Sequence, residues 1–256
     1  THISFITSYL FLTSDAFLPV FKLQYDQQHV YNCLNSVSNQ QSNAVVVNNK
    51  KVVGKTIQGP CIEDRPDYEN IHGPLGKDVD RFFLNLFRSR MVEQVGVDSN
   101  LPMEDYQGLM ELTAALNARF SDRDEVRKRA KNTLVSIFPS WLPKWFAILF
   151  AKPFPRFSSR MNAWATYVAG TWLMGECEVN DCEVDGGGIG EDQGLLVKRC
   201  RFLEESGCAS VCVNSCKIPT QNFFMEDMGL PLTMTPDYDT FEVSLHNDII
   251  DISHTL

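Results

Sequence analysis

C-R-F-L-E-E-S-G-C-A-S-V-C-V-N-S-C-K-I-P-T-Q-N-F-F-M-E-D-M-G, running from Cys200 to Gly229, is the stretch on which the reading of this chain turns. It holds four of the chain's eight cysteines. Cys208, Cys212 and Cys216 are spaced i, i+4, i+8, which puts all three on one face of a helix. Gly207 is placed to end the helix before them. Pro219 follows at once and is expected to break or restart the helix that carries them. The stretch predicts a thiol-rich, mostly helical domain.

Helix geometry limits what these thiols can do. At a rise of ~1.5 Å per residue, Cys208 and Cys216 stand ~12 Å apart along the axis. Metal–thiolate bonds of ~2.3 Å bring two ligands of one ion within about 4–5 Å of each other. One ion therefore cannot hold all three on an unbroken helix, although two neighbours could share one. Further ligands would have to come from Cys200, Cys177, Cys182, Glu204 or Glu205, unless the helix is interrupted. No C-x-x-C pair and no common ferredoxin spacing occurs. The alternative is that these cysteines are small apolar side chains facing the core. Spacing alone leaves both readings open.

The chain has 256 residues, 44% hydrophobic, with a net charge of −9 and a pI near 5.0. That acidity argues against a general nucleic-acid binder. Eight cysteines in this length are too sparse for a disulfide scaffold. Five of them fall between Cys182 and Cys216, and such clustering suits metal or redox chemistry. No apolar run approaches the ~20 residues of a membrane-spanning helix.

Residues 1 to about 60 differ from the rest. They have no Arg, few acids and the polar tract Asn39-Gln40-Gln41-Ser42-Asn43. They read as a disordered or targeting-like extension. The chain begins at Thr1 rather than Met, which suggests a fragment at this end. Gly59 to Gly76, with Pro60, Pro66 and Pro74, reads as a linker that completes an extension over 1–76. His72 lies in that linker, so a Cys–His pair has little support. A domain over 77–243 and a loose tail over 244–256, with His246 and His254, are expected.

Within the domain the pattern is mainly α. Asp78 starts a helix that ends near Gly96, with Val79, Phe82, Phe83, Leu86 and Phe87 as its apolar positions. A second follows Pro102, with Tyr106, Leu109, Met110, Leu116 and Phe120 on one face. Ser121 and Asp124 resemble a capping box opening a third. Its inner face would carry Val126, Ala130, Leu134 and Ile137, and its solvated outer face Arg127, Lys128 and Lys131. Ser158 or Ser159 caps a helix through Met174, ended by Gly175. Its Trp164, Tyr167, Val168 and Trp172 are expected to be buried. Glu176 to Gly194 reads as a loop with a short strand-like piece, its Gly186-Gly187-Gly188 lacking the residues of a phosphate loop. Leu195 to Ser206 reads as helix. Pro231 to Val243 is expected to pair as strand with Cys177–Val184. The fold class is mainly α (α+β): a helical domain with a small antiparallel β-element near the cysteine-rich C-terminal part.

Pro139 to Phe157 stands apart. Trp141, Trp145, Phe146, Phe150, Phe154 and Phe157 alternate with Lys144, Lys152 and Arg156, no acid intervenes, and four prolines forbid one regular helix. These are either core aromatics packed around bends or a membrane-surface patch over 139–157, with rings at headgroup depth and cations beside anionic lipid.

Three pieces of this sequence resemble a known family. Arg199 to Asn214 (R-C-R-F-L-E-E-S-G-C-A-S-V-C-V-N), Cys216 to Phe224 (C-K-I-P-T-Q-N-F-F) with Met228 to Leu232 (M-G-L-P-L), and Thr235 to Glu242 (T-P-D-Y-D-T-F-E) are similar to the plastid beta-carotene isomerases called Dwarf twenty-seven. Trp172 to Asn180 is similar as well, and the resemblance covers about residues 78–242. After Glu242 the family pattern continues with a further cysteine, where this chain has Val243-Ser244-Leu245.

The resemblance implies an iron-containing chloroplast protein that converts all-trans-beta-carotene to its 9-cis isomer, at the head of strigolactone synthesis. The class next to it is a non-catalytic carotenoid or lipid binder, or a redox-sensing iron protein. Under the resemblance Cys200, Cys208, Cys212 and Cys216 are the expected iron ligands, with Cys177 and Cys182 as additions. Trp164, Tyr167, Trp172, Phe223 and Phe224 would line an apolar slot for the carotenoid. Glu226 or Asp227 could act as acid if the polyene were protonated rather than oxidised.

Overall fold

The computed structural model describes residues 65–184 and 188–247. The polar extension before them, Gly186 and Gly187 of the triple glycine, and the tail beyond Asn247 with His254 lie outside the described residues.

Helix α1 spans Lys77–Val95. Asp78 and Asp80 lie in its first turn, where the helix dipole favours negative charge. Gly96, with φ +83°, closes it by donating to the Val92 carbonyl. The buried stripe is Asp80, Leu84, Arg88, Met91 and Val95, so the expected inward Phe82 is instead exposed. The face turned inward carries Arg88, which is fully buried because its guanidinium binds the carbonyls of Ser99, Leu101 and Pro102 and the Asp98 carboxylate.

Helix α2 spans Tyr106–Arg119 and is capped by Asp105, whose carboxylate accepts from the Gln107 N–H at 2.8 Å. Leu109, Leu112 and Leu116 of α2 are almost wholly inaccessible. Helix α3 spans Arg123–Ile137. Its cap is Asp122, accepting from the Asp124 N–H, rather than the expected Ser121. Its buried positions are Val126, Ala130 and Thr133, with Leu134 and Ile137 only partly covered.

Pro143 sits in the first turn of a short helix α4, Leu142–Phe146, which runs on through a π turn at Ala147–Ala151. Helix α5, Pro155–Met174, begins at its proline, ahead of the expected Ser158 or Ser159. A proline is favoured in the first helical turn because its missing N–H has no partner there. Ser158 and Ser159 are therefore buried within α5 rather than capping it.

Strands β1 (Cys177–Val184), the expected strand piece, and β2 (Gly188–Val197), which starts where loop was expected, form an antiparallel hairpin. Leu195 to Val197, read as helix, is the end of β2; a short apolar run does not distinguish the two. Helix α6 is confined to Arg201–Ser206 and ends on Gly207, φ +58°. Strands β3 (Leu232–Pro236) and β4 (Val243–Asn247) complete a four-stranded antiparallel sheet in the order β1-β2-β4-β3. The second hairpin thus joins the sheet through β4 on β2, not through β1 as expected. His246 is in β4, not in a loose tail. Alternate residues Val243 and Leu245 face the core beside Leu195, Val197, Leu232 and Met234.

From Ala209 to Asp227 the backbone is continuously helical. It runs as α7 (Ala209–Cys212), a π turn (Val213–Lys217), α8 (Ile218–Asn222) and a second π turn (Phe223–Asp227). Pro219 does not break it but lies in the first turn of α8, where the α ladder restarts. A proline lacks the N–H for its helical bond and crowds the carbonyl four residues back. The wider turn just before it, with the Ile218 N–H on the Val213 carbonyl, takes up that mismatch.

Candidate functional site

The thiols converge on one part of the core. Cys200 caps α6, and its N–H donates to the Phe241 carbonyl at 2.7 Å. Cys177 opens β1, its Sγ 3.3 Å from the Thr171 hydroxyl. Cys212 and Cys216 lie one turn apart on the cysteine helix. Cys177, Cys200 and Cys212 belong to the main hydrophobic cluster, and Cys216 packs against it. Of the other described cysteines, Cys208 is exposed at the helix start, and Cys182 is half-buried on the β1–β2 hairpin.

Burial sets the chemistry of these groups. Removal from water pushes the Cys200 thiol up to about 11, despite backbone N–H groups that favour its thiolate. The same cause, with Cys200 nearby, pushes Cys212 up to about 12. Cys216 is held well above the ordinary thiol range by burial, then by Cys212 and Cys200. Cys177 is raised by burial, partly offset by the Thr171 hydroxyl. At neutral pH this is a cluster of protonated thiols in apolar surroundings.

Iron, which the resemblance implies, does not fit the residues as they are arranged. Among the described residues no three or more His, Cys, Asp and Glu side chains stand close enough together to hold a metal ion. Cys208 is exposed, whereas Cys200 and Cys212 are buried in the core and Cys216 packs against it. No step is derived through iron.

The two candidate acids are engaged elsewhere. Glu226 and Asp227 occupy the second π turn, and both pair with Lys131 of α3, Asp227 at 2.9 Å. Lys131 and Arg127 are therefore not a free solvated face: Arg127 Nε donates to Asn214 Oδ1 at 2.9 Å. Asn117 of α2 donates to the Ser215 hydroxyl at 2.8 Å. These contacts fix the cysteine helix against α2 and α3.

The aromatic residues expected around a slot stand in different surroundings. Phe223 is 1% exposed, stacks on Phe138 at 5.5 Å and meets Phe224 edge-on at 5.2 Å. Trp172 packs edge-on against Phe87 and donates its indole N–H to the Ala169 carbonyl. Tyr167 packs beside the core. Trp164, expected to be buried, is 60% exposed. A cavity of about 40 Å³ reaches Cys216, bounded by Thr113, Thr133, Phe202, Ser215 and Thr220. It is far below the about 300–1,000 Å³ of a site for a drug-sized ligand.

The 139–157 segment is not core. Trp141, Trp145, Ile148, Phe154 and Phe157 are each more than half exposed, which excludes the reading as core aromatics packed around bends. The inner side of this segment carries small residues: Ala147 and Ala151 meet Gly229, just past the cysteine helix. Ile148 and Leu149 were not singled out from sequence. Their signal was the i, i+4, i+7, i+8 series from Trp141 with alanines opposite, which reads as one apolar face of a helix.

Residues 172–248 match the family model described as Beta-carotene isomerase D27-like, C-terminal. The chain resembles the D27 beta-carotene isomerases. It is 29% identical over 166 residues to a chloroplastic beta-carotene isomerase D27 of Arabidopsis thaliana, covering 62% of this chain and 60% of the relative. It is 27% identical over 160 residues to the protein of the same name from Medicago truncatula, covering 62% and 61%. The chain thus spans about three fifths of the length of the relatives it matches. No solved structure matches it. The matched region contains the thiol core, the cysteine helix and the sheet; the exposed aromatic segment lies ahead of it.

Proposed function

We propose that this chain is a plastid carotenoid isomerase that converts all-trans-beta-carotene, or a close relative, to a cis isomer. The observation that carries the proposal is the match of residues 172–248 to a domain named for that activity, which coincides with the buried thiol core. Both relatives are chloroplastic by name, which supports the compartment. A carotenoid is a long apolar polyene, so it resides in lipid. A protein acting on it needs an apolar surface at the membrane, and the exposed rings of 139–157 supply one. We place the peripheral membrane contact there.

The chain's own residues provide the setting for such a reaction. Burial removes water from the thiol cluster, and Phe224 packs against the same core, edge-on to Phe223. Glu226 and Asp227 are not used as acids in this reading, because Lys131 neutralises them at the surface.

The test is incubation of the purified chain with all-trans-beta-carotene in detergent micelles, in the dark, with isomers separated by chromatography. A cis fraction growing in proportion to protein, above a heat-inactivated control, is expected. Identical isomer composition in both samples would overturn the proposal. That result would leave the second reading, a non-catalytic carotenoid or lipid binder. The pairing of both candidate acids with Lys131, which leaves neither free to protonate a polyene, favours that reading. It predicts carotenoid retention through gel filtration with no isomer change.

A further inference from the structure

The acidic residues of this chain are distributed unevenly. Between Val126 and Gly175 there is no Asp or Glu, while eight Lys and Arg occur, in a chain of net charge −9. Some of those cations are engaged: Arg129 pairs with Glu125, Lys131 with Glu226 and Asp227, and Arg160 with Glu191. Lys144, Lys152 and Arg156 are exposed and form no ion pair among the described residues. They occupy the segment that exposes the large apolar side chains.

The two kinds of residue share a face. Trp141, Lys144, Trp145, Ile148, Leu149 and Lys152 follow helical spacing, i, i+3, i+4, i+7, i+8, i+11, along α4 and its π turn. Ala147 and Ala151 point the other way, against Gly229. Phe154 and Phe157, at the start of α5, and Trp164, two turns further along it, extend the exposed apolar surface. A soluble surface helix turns its apolar stripe inward; this one turns it outward with unpaired cations alongside.

The geometry points to a docking surface for an anionic lipid bilayer, formed by α4, its π turn and the first half of α5. This deepens the membrane contact of the proposed function by fixing its lipid charge and its residues. Ten residues from Leu142 to Ala151 rise only about 15 Å, half of a ~30 Å hydrocarbon core, so the segment lies in the interface and does not span it. Tryptophan favours that depth, and a cation near an anionic leaflet adds attraction. A second copy of the chain fits less well: packing this face on itself would bring Lys144, Lys152 and Arg156 against their own counterparts.

Three of the four tryptophans, Trp141, Trp145 and Trp164, report on this surface directly. The full chain is mixed with vesicles of phosphatidylglycerol in phosphatidylcholine, with vesicles of phosphatidylcholine alone, and with mixed vesicles carrying brominated acyl chains. Sedimentation with the anionic vesicles, about tenfold or more weaker binding to the neutral ones, and bromine quenching of tryptophan fluorescence are expected. Lys144→Gln and Lys152→Gln each lower binding about fivefold, and Trp145→Gln lowers it and reduces quenching. All three side chains are exposed, and unchanged circular dichroism keeps the comparison valid.

Equal binding to both vesicle types, wild-type binding by the variants, or no binding at all would overturn the inference. So would a lipid-free dimer that Trp145→Gln converts to monomer, since a second copy would then cover the face. Isomerisation in micelles needs no bilayer. Retained activity without vesicle binding therefore removes only this inference, and vesicle binding without activity removes only the isomerase reading.

Discussion

Gly229 faces Ala147 closely enough that a Cβ placed on it would lie 3.2 Å from the Ala147 Cβ and 3.7 Å from that of Ala151. Gly229 has φ +70°. The end of the cysteine helix thus rests directly on the segment that exposes its rings outward. Only a residue without a side chain allows both the left-handed turn and this approach. Gly229→Ala is expected to cost about 1–2 kcal/mol of stability, from the φ penalty and the crowding of two alanines. Denaturant unfolding of the purified chain measures it, and a loss below a few tenths would mean that the contact is slack.

Arg88 and Gly108 form a second tight pair. A Cβ on Gly108 would lie 2.6 Å from Arg88 Nη1. The guanidinium behind it holds the 98–102 loop through three carbonyls and Asp98. Arg88→Met leaves those carbonyls without their donor and is expected to destabilise by about 3 kcal/mol or more. Gly108→Ala should act in the same direction by displacing the guanidinium. The thermal midpoint reads both, and a neutral Arg88→Met would contradict the clamp.

The cysteines separate by burial. Cys212 is 5% exposed among apolar neighbours, so Cys212→Ser places a hydroxyl where a thiol sat, at a cost of about 1–2 kcal/mol. Cys208 is exposed, and Cys208→Ser should stay within about 0.5 kcal/mol of wild type. Parallel urea titrations check the order. The reverse order would show that Cys208 has a structural role its exposure does not suggest.

The raised thiols make stability depend on alkaline pH. Burial pushes Cys200 up to about 11 and Cys212 up to about 12, against 9.0 for an ordinary thiol. The folded state therefore holds these protons longer than the unfolded state. Their contribution is complete below pH 9 and is lost as pH rises through 11 and 12. The shift at Cys200 alone corresponds to about 3 kcal/mol. Unfolding free energy measured from pH 7 to pH 11 should fall above pH 9, and the fall should shrink in Cys212→Ser. A flat profile would mean that the thiols are hydrated.

Glu226 and Asp227 offer a sharper test of mechanism. Both are paired with Lys131 at the surface, so Glu226→Gln with Asp227→Asn should leave the rate of carotene isomerisation within about twofold, because a polyene-protonating acid would contribute 10²–10⁴-fold. A loss on that larger scale would return a carboxylic acid to the reaction.

Much of the helical frame was legible because glycine marks it. Gly96, Gly175 and Gly207 each have positive φ and stand where the pattern ended a helix. The mainly α fold with a small antiparallel sheet was likewise readable. Two kinds of feature were not. Leu195-Leu196-Val197 is apolar throughout, so no period separates a buried strand from a buried helix, and β4 on β2 is a long-range pairing without a local signal. Pro219 was read as breaking or restarting the helix; it restarts the α ladder after the π turn, and that turn, which helix rules do not anticipate, is why the backbone stays helical through it. Of the thiols singled out from sequence, Cys177, Cys200, Cys212 and Cys216 lie in or against the core, Cys182 lies on the β1–β2 hairpin, and Cys208 is exposed because it stands at the helix start, which a helical wheel does not show. Trp145 and Trp164 show the same limit, since an apolar face reads alike whether it meets a core or a bilayer.

The central claim is that this chain isomerises a carotenoid drawn from a membrane. The most direct measurement loads anionic vesicles with all-trans-beta-carotene, adds the chain, and follows the isomers by chromatography while sedimentation records the bound fraction. The account predicts a cis fraction that rises with the amount of protein bound. Protein bound to the vesicles with an isomer composition identical to protein-free vesicles would contradict it.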